Sequence, residues 1–330
     1  MANEIEKRVV AGVLVSPAGQ VLITQRPPGK MLAGAWEFPG GKLDTGEDRL
    51  AGLGRELLEE LGISIESARP LIRYRHQYDD FSVDLDTWKV TGWRGEPRGL
   101  EGQALAWELP QHLLQKGLLP ADETIVCAIR LPDEIAVTPP GSDGNEEAFL
   151  DRLESRSEGL VCLRRPDLDV DRLLEVAAGA ACRVEGGEGE GELLLHGDPA
   201  LLGPLILEPP ANLALRLARA VAGLHTPARF LSGLAKRPIP RSLWFGVSCH
   251  DEAELHAALE AEADYAFLGP VNATPSHPGA PGLGWDKFSA LIKDLPLPVY
   301  AIGGVGPEDL ETAWAAGAQG VAGISAFWPN

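Results

Sequence analysis

Long apolar runs are missing from this chain of 330 residues. No window approaches the roughly 18 or more uninterrupted apolar residues of a spanning helix, and the start, Met1-Ala2-Asn3-Glu4-Ile5-Glu6-Lys7-Arg8, lacks an apolar signal core. From both absences no membrane partner and a cytoplasmic location are expected. Cysteine is scarce as well. Cys127, Cys162, Cys182 and Cys249 lie far apart with no CxxC pair, which argues against a disulfide framework and a cysteine zinc site and leaves four reduced structural thiols. Positive charge is in short supply, with 29 lysines and arginines against 48 aspartates and glutamates and a net charge of −19. Duplex binding needs a basic surface that displaces counterions from phosphates, so a nucleic-acid polymer is excluded as a partner.

What remains has the balance of a folded enzyme: 45% hydrophobic residues, 23% charged residues and a mean hydropathy of −0.05. At roughly 100–200 residues per domain, the length gives room for two cores. Charge is spread unevenly between them. Residues 1–132 carry 15 basic and 19 acidic side chains, the remainder 14 and 29. A strand-like run at Ile135-Ala136-Val137-Thr138 followed by Pro139-Pro140-Gly141 puts a boundary near Leu131, giving domains 1–131 and 132–330. In the first, runs at 9–15 and 21–24, parted by Ser16-Pro17-Ala18-Gly19, predict a hairpin. A helix is expected over 48–61, with strands around Tyr74 and Trp88, an α+β pattern. In the second, β-rich runs at 135–138, 160–163, 193–196, 223–226, 243–248, 265–269, 299–303 and 320–325 alternate with helical stretches. Eight such runs predict a closed (β/α)₈ barrel, an open doubly wound sheet being the alternative. The acidic, glycine-rich stretch from Glu185 to Glu192 reads as a mobile surface loop.

Chemistry concentrates between Glu37 and Ile63. On a helix, Glu56, Glu59 and Glu60 stand at i, i+3 and i+4 and share one face, where they repel one another unless cations sit among them. Hard oxygen ligands at that density suit Mg²⁺ or Mn²⁺, the other reading being a solvated acidic face. Leu53, Leu57 and Leu61 form the stripe that packs the helix on a sheet, and Gly62 ends it. The complete spacing is Gly41, five residues, Glu47, seven residues, Arg55-Glu56-Leu57, one residue, Glu59-Glu60, one residue, Gly62-Ile63. It matches the Nudix box, and the sequence resembles a Nudix hydrolase of MutT type over about residues 5–131. Ile23-Thr24-Gln25-Arg26, Trp36-Glu37-Phe38-Pro39-Gly40-Gly41-Lys42, Trp93-Arg94-Gly95-Glu96-Pro97 and Leu100-Glu101-Gly102-Gln103 extend the likeness.

The resemblance implies an α+β Nudix sandwich that hydrolyses a nucleoside triphosphate to monophosphate and diphosphate. It implies Mg²⁺, or Mn²⁺, held by Glu56, Glu59, Glu60, Glu101 and the carbonyl of Gly40. Glu56 would bind metal and accept the water proton, with Glu101 able to share the base role, while Arg55 pairs with Glu47 and holds the turn into the helix. Arg26 and Phe38 would contact the nucleotide, and Asp122 would read the base edge. MutT has asparagine at that last position. An amide donates and accepts together, as 8-oxo-dGTP requires, whereas an ionised aspartate only accepts. An oxidised purine read by a protonated aspartate and a pyrimidine triphosphate therefore both stay open, as does Asp122 as a plain cap on a helix starting near Glu123.

In the second half, Gly246-Val247-Ser248-Cys249-His250, then Asp264 through Val271, then Ala301-Ile302-Gly303-Gly304-Val305 with Gly320-Val321-Ala322-Gly323-Ile324-Ser325 occur in order. Together with Arg164 and the turn holding Thr274 and Ser276, these resemble the thiamine-phosphate synthase and TenI family over about residues 133–328. The likeness implies a TIM barrel whose mouth binds a phosphorylated small ligand through Ser248, Gly303, Gly304, Gly323 and Ser325. The diphosphate grip is thinned, however. Pro166 stands where a lysine is expected, His277 where another is expected, and Leu195-His196-Gly197-Asp198 where the strand usually ends in Asn-Asp. A degenerate binding barrel, a bifunctional thiamin-pathway enzyme and a noncatalytic regulatory or oligomerisation module are the readings left open. His225, His250 and His277 are candidates either for acid–base work or for structural roles.

Overall fold

Strand β1 (Glu6–Leu14) is apolar on both faces from Val9 onward, and it lies inside a four-stranded sheet ordered β4-β1-β6-β5, with β4 at Gly40–Lys42, β5 at Ser64–Gln77 and β6 at Ser82–Arg94. β1 runs parallel to β6 and antiparallel to β4. A second sheet, ordered β3-β2-β7, is built from β2 (Val21–Gln25), β3 (Trp36–Glu37) and β7 (Leu105–Glu108). Because side chains alternate along a strand, Val10 and Leu14 of β1 pack against Leu53, Leu57 and Leu61 of helix α1 (Arg49–Leu61). Ala11 and Val13 join Ile125, Val126 and Ala128 of helix α2 (Glu123–Arg130) on the other side. The result is a sandwich with a helix over each face.

One expectation fails here. The chain reverses between β1 and β2, with Ser16 N–H bonding Gln20 O at 2.8 Å, but only Val15 and Val21 pair across the reversal. The two strands then enter different sheets, so there is no hairpin. Each finds its partners further along the chain, β1 in β4 and β6, β2 in β3 and β7, because both strands are buried and ladder to neighbours on both edges.

The computed structural model describes residues 6–139, 149–151, 153, 159–181, 193–234, 236–274 and 281–328. The Glu185–Glu192 loop, Cys182, Ser276 and His277 therefore lie outside the described residues. Two compact units result, the first made of the chain through Leu131 with Ile292–Pro298 and Trp314–Gln319, the second of the rest.

The second unit is a closed parallel barrel, which answers the choice between barrel and open sheet. Its strands are β8 (Glu134–Val137), β9 (Leu160–Leu163), β10 (Leu193–His196), β11 (Val221–Pro227), β12 (Trp244–Cys249), β13 (Tyr265–Leu268), β14 (Val299–Ile302) and β15 (Gly320–Gly323), and β15 pairs with β8 to close the ring. The last strand stops short of the expected Ser325. Phe327 N–H turns back to Ile324 O at 3.0 Å, and Ser325 opens a short 3₁₀ turn. Among the described residues, no helix is long and apolar enough to cross a membrane.

Candidate functional site

Helix α1 begins where Asp48 accepts hydrogen bonds from Leu50 and Ala51 N–H, and it ends at Gly62 in the left-handed conformation. With the leucine stripe turned inward, the opposite side presents Arg55, Glu56, Glu59 and Glu60 toward β4 and its flanking loop. Arg55 organises that side. Its Nε and Nη2 grip Glu47 at 3.0 Å each, Nη1 reaches Glu56 Oε1 at 2.8 Å, and Nη2 also meets Lys42 O at 3.1 Å. The Arg55 hydrogen bonds, with the Asp44 N–H added, hold the Glu47 carboxyl down at about 2, and Arg55 is pushed further up by Glu47 and Glu56. A two-pronged clamp thus ties the loop before α1 to the helix.

Glycine is required beneath this clamp. A Cβ on Gly41 would fall 2.2 Å from Glu56 Oε2, so the carboxylate rests directly on the backbone of β4. At Gly40, with φ of 148°, a Cβ would fall 2.1 Å from Val10 O. The Gly40 N–H donates to Glu60 Oε2 at 3.2 Å. Burial lifts the Glu60 carboxyl to about 7 against that bond, with Glu101 and Glu37 adding to the rise and Lys30 opposing it.

Glu101 arrives from the loop after β6. Leu100 N–H bonds Glu60 O at 2.9 Å, Arg98 N–H bonds Leu61 O at 3.0 Å, and the Gln103 side chain accepts from Glu101 N–H while donating to Glu60 O. The free carbonyls at the end of α1 therefore dock the loop. Lys30 Nζ stands 2.8 Å from Glu101 Oε2. The Glu59 side chain, by contrast, is 60% exposed and, among the described residues, pairs only with Arg55, at 3.4 Å.

Among the described residues no three acidic, histidine or cysteine side chains already converge as a coordination sphere. Arg55 and Lys30 hold the carboxylates instead. The surroundings nevertheless fit a hard divalent cation: the donors of Glu56, Glu60, Glu101 and the Gly40 main chain are all oxygen, and the Gly41 cradle seats Glu56 where any larger residue would expel it.

On the far side of β3, Arg26 pairs with Glu37 and donates through Nε to Met31 O at 2.7 Å. Burial pushes Glu37 up despite that pair. The Phe38 ring is in the core at 4% exposure, so its backbone is what faces Asp122, to which its N–H donates. Asp122 is buried, and its Oδ2 has no hydrogen-bond partner among the described residues. It precedes α2 but makes no capping bond, which removes the plain-cap reading. Burial, reinforced by Glu37, pushes its carboxyl well above the usual range. A neutral acid there donates and accepts, as an amide does. Lys30, Glu37 and Gln103 are the members that residue-by-residue reading passed over. Glu37 and Gln103 stood inside recognised motifs, whereas Lys30 meets a partner 71 positions away with no local signal.

In the barrel, Gly303 and Gly304 adopt φ of 91° and 67° in the turn after β14, and Asn272 bonds both of their carbonyls. Gly323 ends β15, Ser325 is exposed just beyond, and Ser248 lies near the end of β12. All five sit at the C-terminal end of the barrel strands. His250 is exposed and bonded to Glu254 at 2.9 Å. Asp198 accepts from Ala200 N–H as the cap of the helix Pro199–Leu207.

Residues 10–128 match the family model for the NUDIX domain, and residues 203–327 match that for thiamine monophosphate synthase. The chain is 40% identical over 113 residues to an 8-oxo-dGTP diphosphatase of Haemophilus influenzae, covering 34% of this chain and 82% of that protein. It is 35% identical over 113 residues to a CTP pyrophosphohydrolase of Escherichia coli, covering 34% and 84%. An 8-oxo-dGTP diphosphatase of Escherichia coli is 30% identical over 123 residues, 37% of this chain and 95% of that one.

Proposed function

We infer the activity from one premise: through its N-terminal half this chain belongs to the Nudix family, and a barrel like thiamine-phosphate synthase follows. Nudix hydrolases act on phosphoric anhydrides and generally use a divalent metal. For this chain we propose Mg²⁺-dependent hydrolysis, with Mn²⁺ as a substitute, of 8-oxo-dGTP or a related damaged nucleoside triphosphate to the monophosphate and diphosphate. Cleansing of the nucleotide pool is the role that follows. The observation that carries this reading is the seating of Glu56 on Gly41 under the Arg55–Glu47 clamp, which presets one carboxylate on the same helix face as the half-buried Glu60.

Glu56, Glu59, Glu60, Glu101 and the Gly40 carbonyl are the ligands proposed for the metal, which when bound would offset phosphate charge and acidify water. Glu56 is then the group to take a proton from the attacking water, with Glu101 able to share that task. Arg55 and Glu47 keep Glu56 in one rotamer and do not touch the substrate. Arg26 and the Phe38 backbone flank the nucleotide, and neutral Asp122 pairs with a base edge that presents a carbonyl beside an N–H. Selectivity is the finer part of the proposal. The relatives act on either 8-oxo-dGTP or CTP by name, and the protonated state of Asp122 favours the oxidised purine.

The test is kcat/KM with Mg²⁺ for 8-oxo-dGTP, dGTP and CTP, in the native chain and in Glu56→Gln. Loss of about a thousandfold or more in the variant, with circular dichroism unchanged, is expected for a proton acceptor and metal ligand. Turnover near the native value would remove Glu56 from that role. For the barrel we propose a phosphorylated small ligand held at Ser248, Gly303, Gly304, Gly323 and Ser325, with synthase activity lost, since Pro166 replaces a lysine and Asp198 is engaged as a helix cap.

A further inference from the structure

A chain of three polar groups, two of them fully buried, links strands β11, β12 and β13 of the barrel. The Tyr265 hydroxyl stands 3.0 Å from His225 Nδ1, and His225 Nε2 stands 2.7 Å from Ser248 Oγ. Tyr265 and His225 are fully buried, while Ser248 is half-buried near the end of β12. Gly246 makes room for the arrangement, since a Cβ there would fall 2.1 Å from Tyr265 Cζ. Phe267 packs against the imidazole at 4.2 Å between centroids, and His196 stacks on it at 5.7 Å and 17°. The ring plane is therefore held from several sides.

Hydrogen counting gives the chain a direction. The Tyr265 hydroxyl has one hydrogen and, among the described residues, one partner. If it accepted from Nδ1–H, its own hydrogen would be buried without an acceptor, a cost nothing else offsets. Tyr265 therefore donates to Nδ1. Burial, with His196 adding to it, pushes His225 well below its usual value, so the ring is neutral and its single N–H is on Nε2. That N–H donates to Ser248 Oγ. The Ser248 hydrogen is left with no acceptor among the described residues, and Ser248 stands at the same end of the barrel as the Gly303–Gly304 turn. Three donors pointing one way polarise one another, strengthening the last.

We propose that Tyr265 and His225 are positioning residues that set the Ser248 hydroxyl as a fixed hydrogen-bond donor to a phosphoryl oxygen in the barrel mouth. This rests on the reading of the barrel as a site for a phosphorylated ligand. Recognition at Ser248 then works through an oriented neutral donor, without a charged histidine.

The test uses the full chain labelled with ¹⁵N-histidine and inorganic phosphate as the probe, without divalent metal. The His225 ring nitrogens should show the Nε2–H tautomer, and phosphate should shift the Nε2 resonance. Ser248→Ala should raise the phosphate Kd at this site about tenfold or more, Ser248→Thr should keep the native value, and Tyr265→Phe should both disturb the tautomer and weaken phosphate. A tautomer shift in Tyr265→Phe with native circular dichroism is a signature that a purely packing role would not produce. The Nδ1–H tautomer in the native chain would overturn the proposal. So would native phosphate affinity in Ser248→Ala and Tyr265→Phe, a result that leaves the barrel reading standing. Absence of any phosphate response at His225 in the native chain would remove that reading and the proposal together.

Discussion

Asp122 shows how far a single residue's chemistry depends on where it is buried. Among the described residues its Oδ2 has no partner, and the N–H of Phe38 is too little to hold a charge away from water. The folded-state pKa stands above the unfolded value of about 3.9, so the native state keeps a proton that the unfolded chain releases. Stability from this group is complete below about pH 4 and is lost as pH rises toward the folded value. Asp122→Asn, always neutral and nearly isosteric, should therefore melt above the native chain at pH 8, with the difference closing near pH 4. A Tm gap that widens on acidification would contradict the neutral assignment. The same variant should keep the 8-oxo-dGTP to dGTP preference, while Asp122→Ala should lower it about tenfold or more because a donor and an acceptor are both removed.

At the scale of the element, α1 couples packing to chemistry. Leu57 is fully buried on its inner side, next to Val10 and Leu14, while Glu56 is gripped on its outer side. Leu57→Ala should cost about 2–5 kcal/mol in denaturant unfolding, the usual result of an unfilled cavity at a closed interface. Gly41→Ala acts on the other side. Its Cβ would occupy the seat of the Glu56 carboxylate, and kcat should fall about a hundredfold with little change in Tm, since displacing a reacting group by about 1 Å is enough for that loss. A large Tm drop with native kcat in the survivors would mean that Gly41 serves the fold and not the site. Most of this helix was legible beforehand. Its span, its stripe and its stop at Gly62 are contained within fifteen consecutive residues, and only Asp48 changes place, capping the helix from outside where it was expected to open it.

For the whole molecule, the relatives give the argument. The matched 113 to 123 residues make up 82% to 95% of three curated hydrolases, so those proteins have little room for a second domain. We expect residues 1–131 expressed alone to hydrolyse the substrate within about tenfold of the intact chain, a margin of about 1.4 kcal/mol in transition-state binding. A fragment that is folded by circular dichroism yet inactive would tie hydrolysis to the barrel.

Sequence by itself determined what short-range spacing encodes: the carboxylate face of α1, its stripe and its stop, and the eight barrel strands with the glycines that end the last two. Periodicity of 3.6 or 2 and turn chemistry are properties of neighbours in the chain, so they can be read without folding it. Tertiary structure alone decided the partition of β1 and β2 into separate sheets, the Lys30–Glu101 contact, the upward shift of the Asp122 carboxyl and the meeting of Tyr265, His225 and Ser248. Each of these depends on which distant group arrives and on how completely water is removed, and desolvation is set by the assembled fold and not by any local pattern.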